Sequence, residues 1–98
     1  MSKRDLLSSD DISIQLNSLT DWAVEENKLK KEIICSNFAS AIGLINSIAV
    51  FAETINHHPD ILLYGWNKIR INLHTHDKGG LTSLDFELAK KIDTIKIY

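Results

Sequence analysis

Between Phe38 and Ile55, apolar side chains recur at Phe38, Ala41, Ile42, Ile45, Ile48, Ala49, Ala52 and Ile55. This spacing of three and four lays an apolar stripe along about five helical turns. Ser36 or Asn37 supplies the cap at its start. Pro59, the only proline, fixes where the helix must end. A residue that precedes proline is pushed out of the α region, so the helix stops by His58. Gly43 costs it about 1 kcal/mol against alanine and marks a point of close approach. A core helix of this length needs a surface to cover, and the remaining sequence has to provide it.

That surface is legible as four short strands. Trp22 to Glu26 and Leu29 to Cys35, around a polar turn at Asn27-Lys28, read as a hairpin. Ile61 to Tyr64 forms a short strand and Gly65 permits a turn. Lys68 to Thr75 alternates strictly, with Ile69, Ile71, Leu73 and Thr75 on one face. Lys68, Arg70, Asn72 and His74 take the other face, with His76 at the strand end. Two more helices flank the strands. Ser8 or Ser9 caps the first, with Asp10 and Asp11 in its first turn, Ile12, Leu16 and Leu19 at helical spacing, and Thr20-Asp21 as its end. After Gly79-Gly80, Thr82 with Asp85 three residues later reads as a capping box, and Leu84, Leu88, Ile92 and Ile95 form the stripe of the last helix. The order is α-β-β-α-β-β-α. Short, hairpin-type links imply an antiparallel sheet, with the three helices covering one face: an α+β sandwich.

With 98 residues and no repeat or linker, residues 1–98 are expected to form a single domain. The net charge of −2 excludes a general basic footprint for nucleic acid. Lys28, Lys30 and Lys31 interleave with Glu25, Glu26 and Glu32, which reads as a solvated hairpin of mixed charge. Cys35, the single cysteine, is expected to be a buried, inert thiol. No uninterrupted apolar stretch approaches the roughly 20 residues of a membrane span, and Leu6-Leu7 is too short for a secretory core. The expectation is a soluble protein of a reducing cytoplasm, without a membrane or nucleic-acid partner.

All four histidines fall between positions 57 and 76. His57 and His58 stand at the helix exit and His76 at the end of the long strand, so one cleft can gather them. Imidazole exchanges protons in both directions near neutrality, and several in one pocket suit a reaction that moves two protons. A metal reading also has ligands available, with Asp60 and Asp77 as carboxylates. Adjacent His57 and His58 diverge; His74 and His76 share a strand face and are the better pair. The expectation is no native metal site.

From Ala52-Glu53 through Asn56-His57-His58-Pro59-Asp60 to Tyr64, the chain resembles the pterin-4a-carbinolamine dehydratases. The likeness continues through Asn67-Lys68-Ile69, Ile71-Asn72-Leu73, Thr75-His76, Gly80-Leu81-Thr82 and Asp85, and covers nearly the whole chain. It implies a hydro-lyase that removes water from a 4a-hydroxy-tetrahydropterin to give the quinonoid dihydropterin, in recycling of a tetrahydrobiopterin-type cofactor. It implies His57, His58 and His76 as the proton-transfer set and Glu53 as the anchor of the pterin's amino-pyrimidinone edge. Backbone at His74 and Thr75 would face the same ring, Trp22 would lie near the pocket, and Asp85 would orient a histidine or cap the last helix. The chain departs from the family pattern at Ile61, where an aromatic is common, and at His74, where a small hydroxyl residue is expected.

The resemblance further implies that the pterin is the substrate, with no separate cofactor. It implies a homodimer or homotetramer, formed through an edge strand and a helix, and a functional link to an aromatic amino-acid hydroxylase. The alternative is a non-catalytic binding, dimerisation or assembly module of the same fold.

Overall fold

The computed structural model describes residues 2–96 and 98. The elements are α1 (Ser9–Leu16), β1 (Ala23–Glu25), β2 (Lys28–Ile34), α2 (Phe38–Ile55), β3 (Asp60–Tyr64), β4 (Lys68–Leu73), a 3-10 turn (His76–Lys78) and α3 (Ser83–Asp93). The four strands form one antiparallel sheet in the order β1-β2-β4-β3. The fold is α+β, with the predicted element order.

Pairing explains which residues enter the core. Leu29 lies opposite Leu73 and Ile33 opposite Ile69 across β2 and β4, and all four are buried. They join Ile71 in a cluster with Ala41, Leu44, Ile48 and Ala52 of α2 and Phe86, Leu88, Ala89 and Ile92 of α3. Ile12 and Leu16 of α1 reach only its margin, and no residue of α1 is fully buried. Lys31 lies opposite Ile71 and therefore on this same face. Its ammonium donates to Asp93 Oδ1 at 2.8 Å, so it is a buried-stem lysine tied to α3 rather than part of a solvated hairpin.

Several boundaries differ from the sequence reading. The first helix ends at Leu16, a turn before Leu19, although Leu19 still packs against the core. Glu25 pairs with Lys28, so the hairpin turn is Glu26-Asn27, not Asn27-Lys28. Both turn residues have positive φ, 53° and 60°, as a two-residue turn that matches strand twist requires. The long strand ends at Leu73, with Thr75 continuing only as an isolated bridge to Gly80.

The stripe on α2 is the largest revision. Its buried residues are Ala41, Leu44, Ile48 and Ala52. Phe38, Ile42 and Ala49 of the expected stripe are exposed, as is Val50. A helix this apolar around its circumference cannot select its inward face by periodicity alone; the sheet selects it. By length and composition α2 also reaches the threshold of a membrane-crossing helix, with mean hydropathy 1.6 over 18 residues. Here its buried residues lock it onto the sheet and α3.

Candidate active site

The site begins where α2 stops. Asn37 Oδ1 caps the helix start, and at the far end Asn56 adopts the left-handed conformation, φ 51°, ψ 48°. The His57 amide then donates back to the Ala52 carbonyl at 3.0 Å, a helix-closing pattern. Pro59 prevents any continuation. The consequence is that two adjacent imidazoles part company. His57 turns inward and is 7% exposed. His58 turns outward, with a side chain 60% exposed and its Nε2 2.5 Å from Glu53 Oε2.

On the facing segment the chain leaves β4 with Thr75 pointing inward, buried, and His76 outward, exposed. The Thr75 amide donates to the Gly80 carbonyl, closing the 3-10 turn and delivering the chain to the cap of α3. Gly79 permits this return with φ 70°.

Asp85 joins the two segments. Its Oδ1 lies 2.6 Å from His57 Nε2. Its Oδ2 accepts from the Thr82 amide at 2.9 Å and from the Thr75 hydroxyl at 3.0 Å. Three donors surround a fully buried carboxylate, which suits the ionised form, an acceptor only. The directions then follow along the chain of bonds. Thr75 spends its hydroxyl proton on Asp85, so the Thr82 hydroxyl, 2.8 Å away, donates to Thr75. The Thr82 oxygen in turn accepts from the Leu84 amide. His57 must donate through Nε2, so in the neutral imidazole the lone pair lies on Nδ1. The sequence left Asp85 as either a helix cap or an orienting acid, and its two oxygens fill both places.

His74 and His76 have ring centroids 3.9 Å apart at a tilt of 59°. Burial pushes the His74 imidazole below its usual pKa, and the nearby His76 and Lys28 push the same way, against Asp60 and Asp85. Among the described residues, His74 Nδ1 is buried without a hydrogen-bond partner. Asp60, at the start of β3, brings its carboxylate to within 4.8 Å of ligand atoms on both imidazoles.

Other expected residues sit differently. Trp22 is buried, donating from Nε1 to Asp93 Oδ1 at 2.9 Å, with the Lys31 ammonium over its ring. Its polar partners therefore lie at the hairpin–α3 corner. Glu53 is exposed and one of its carboxylate oxygens is already engaged by His58. Cys35 is a free, buried thiol, and burial raises its pKa. Thr82 was read only as a cap; its place in the buried network had no local signal. Surface cavities of about 470 Å³, bordered by Lys30, Glu32, Arg70 and Asn72, and about 280 Å³, bordered by Lys31 and Asp93, are lined by none of the four histidines.

The family model described as pterin 4 alpha carbinolamine dehydratase matches residues 5–95. A protein of Sulfurisphaera tokodaii, provisionally named pterin-4-alpha-carbinolamine dehydratase, is 39% identical over 89 residues, covering 91% of this chain and 95% of its own. One of Roseiflexus castenholzii with the same provisional name is 42% identical, covering 92% and 96%. Among solved structures, a transcriptional coactivator/pterin dehydratase from Brucella melitensis superposes with a TM-score of 0.87 at 25% identity, over 92% of this chain and 97% of that one. A pterin dehydratase-like protein described as a RuBisCO assembly factor in the alpha-carboxysome shares the fold, with a TM-score of 0.61 at 19% identity over 74% of this chain and 83% of that one.

Proposed function

Because the chain belongs to the pterin 4 alpha carbinolamine dehydratase family, we propose that it removes water from a 4a-hydroxy-tetrahydropterin to give the quinonoid dihydropterin. The observation that carries this reading is the buried His57–Asp85 pair, with exposed His58 and His76 next in sequence to His57 and Thr75, the two side chains that meet at Asp85.

The reaction is proton-neutral. The C4a–O bond breaks as the oxygen accepts a proton and leaves as water, and N5 gives up its proton as the C4a=N5 bond forms. An acid near the oxygen and a base near N5 suffice, because hydroxide is a poor leaving group until protonated. Asp85 holds the Nε2 proton on His57 and so fixes which nitrogen is left to exchange. His58 and His76 are exposed, within reach of a ligand. These three imidazoles act as a set. Glu53, with one carboxylate oxygen not engaged by His58, suits the donors of the amino-pyrimidinone edge, and backbone at His74 and Thr75 would border the ring. As written, the reaction needs no cofactor, since the pterin is the substrate.

The same reading places the protein in tetrahydrobiopterin-type recycling, in functional succession to an aromatic amino-acid hydroxylase, and in a reducing cytoplasm that suits a free thiol. Exposed Phe38, Ile42 and Val50 on α2 and Leu62 on edge strand β3 suit a homodimer or homotetramer. A relative with this fold is described as an assembly factor, so the fold alone does not require turnover. The complete histidine set favours the enzyme over a binding module.

The test is stopped-flow decay of a 4a-hydroxy-tetrahydropterin with and without the protein. The native chain should accelerate the decay, and the His57→Ala/His76→Ala variant should return it to the uncatalysed rate. Full activity in the double variant would overturn the assignment.

A further inference from the structure

We propose that Asp60, His74 and His76 form a binding site for a divalent transition-metal ion. Two histidines separated by one residue project to the same side of an extended chain, and their rings lie 3.9 Å apart by centroid. Asp60 reaches them because it pairs with Asn72, so the start of β3 runs beside the end of β4. One nitrogen from each imidazole and one Asp60 oxygen all fall within 4.8 Å of one another.

An ion held at about 2.0–2.2 Å by nitrogen and oxygen donors sets neighbouring donors roughly 3.0–3.6 Å apart. The three groups are therefore within about 1–2 Å of a closed site, a distance that side-chain rotation covers without moving the sheet. A second observation concerns the His74 ring itself. The His74 ring has a buried nitrogen with no partner among the described residues, and a buried polar atom left unpaired is costly unless a ligand fixes its ring. No hydrogen bond within the described chain commits this imidazole to a structural task. Two imidazoles and one carboxylate select zinc, iron(II), cobalt or nickel over magnesium or calcium, and three protein ligands leave positions open for water or a substrate oxygen.

Because His76 serves both the ion site and the proposed dehydratase set, metal binding is measured without turnover. Untagged protein is titrated with cobalt(II) and with zinc(II), followed by the visible cobalt spectrum and by calorimetry, with millimolar magnesium present throughout. One ion per chain should bind. His74→Ala and Asp60→Asn should each weaken it by about tenfold or more, and His58→Ala should leave it unchanged. Asp60→Asn is an exposed, near-isosteric change, so it reports on ligation even if the His74 variant folds poorly. Binding that is absent, that ignores Asp60→Asn, or that is lost with His58→Ala would overturn the proposal. Stopped-flow decay by the metal-free protein reports separately on the dehydratase.

Discussion

His57 Nε2 and Asp85 Oδ1 lie 2.6 Å apart, both residues buried, across 28 positions of sequence. The pair fastens the exit of α2 to the first turn of α3, and the Thr75 hydroxyl completes the joint from the end of β4. Asp85→Asn keeps the shape but presents an amide where His57 needs an acceptor. Dehydratase activity should fall by at least about tenfold, as when the partner of a functional histidine is exchanged. Thr75→Val removes one donor from the same carboxylate and should cost roughly 1–3 kcal/mol. Stopped-flow rates and thermal melts separate the two effects; an Asp85→Asn variant with native activity would mean that Asp85 only caps the helix.

His74 supplies a pH dependence. Its pKa in the folded chain lies below the usual value, first because of burial. Above both values the group is neutral in either state and contributes nothing. As pH falls through about 6.5 the unfolded chain takes up a proton that the folded chain resists, so stability is lost on the acid side. Melting temperature followed from about pH 7 to about pH 5 should decline less steeply in His74→Gln than in the native chain. Parallel curves would assign the acid sensitivity to other groups.

Trp22 is tied to Asp93, which also receives Lys31. Trp22→Phe deletes the indole donor while keeping an aromatic ring, and should lower stability by about 1 kcal/mol with KM for the pterin unchanged. A raised KM at native stability would instead place Trp22 beside the ligand.

The inward face of α2 is testable by contrast. Leu44→Ala empties a fully buried position and should cost about 2–5 kcal/mol. Val50→Ala, on the opposite, exposed side, should cost less than about 0.5 kcal/mol. Denaturant melts give both values; an equal loss at Val50 would reveal that this face is covered by another copy of the chain.

How much of this could be read beforehand depends on the range of the signal. The α3 cap was legible because Thr82 and Asp85 are three residues apart. The alternation of β4 was legible because period two needs no knowledge of neighbours, and the stop at Pro59 follows from local sterics. The hairpin turn was misplaced by one residue because glutamate at Glu26 gives no signal for positive φ. The inward face of α2 was hidden by apolar residues around most of the helix. Lys31 was misjudged because its partner, Asp93, is 62 residues away. The sequence names Asp85 as a cap or an orienting acid, but which histidine it meets, and the Thr75 and Thr82 hydroxyls beside it, are assembled only by the tertiary fold.

The double use of Asp85 bears on how relatives of this chain should be read. A relative without the proposed chemistry would still need Asp85, Thr82 and Thr75, because they begin a helix and fill the interior. Their retention would therefore diagnose folding, not catalysis. His58 and His76 stand in solvent, where replacing them should cost the fold little. Whether a given relative keeps those two is the more telling sign of the proposed dehydratase chemistry.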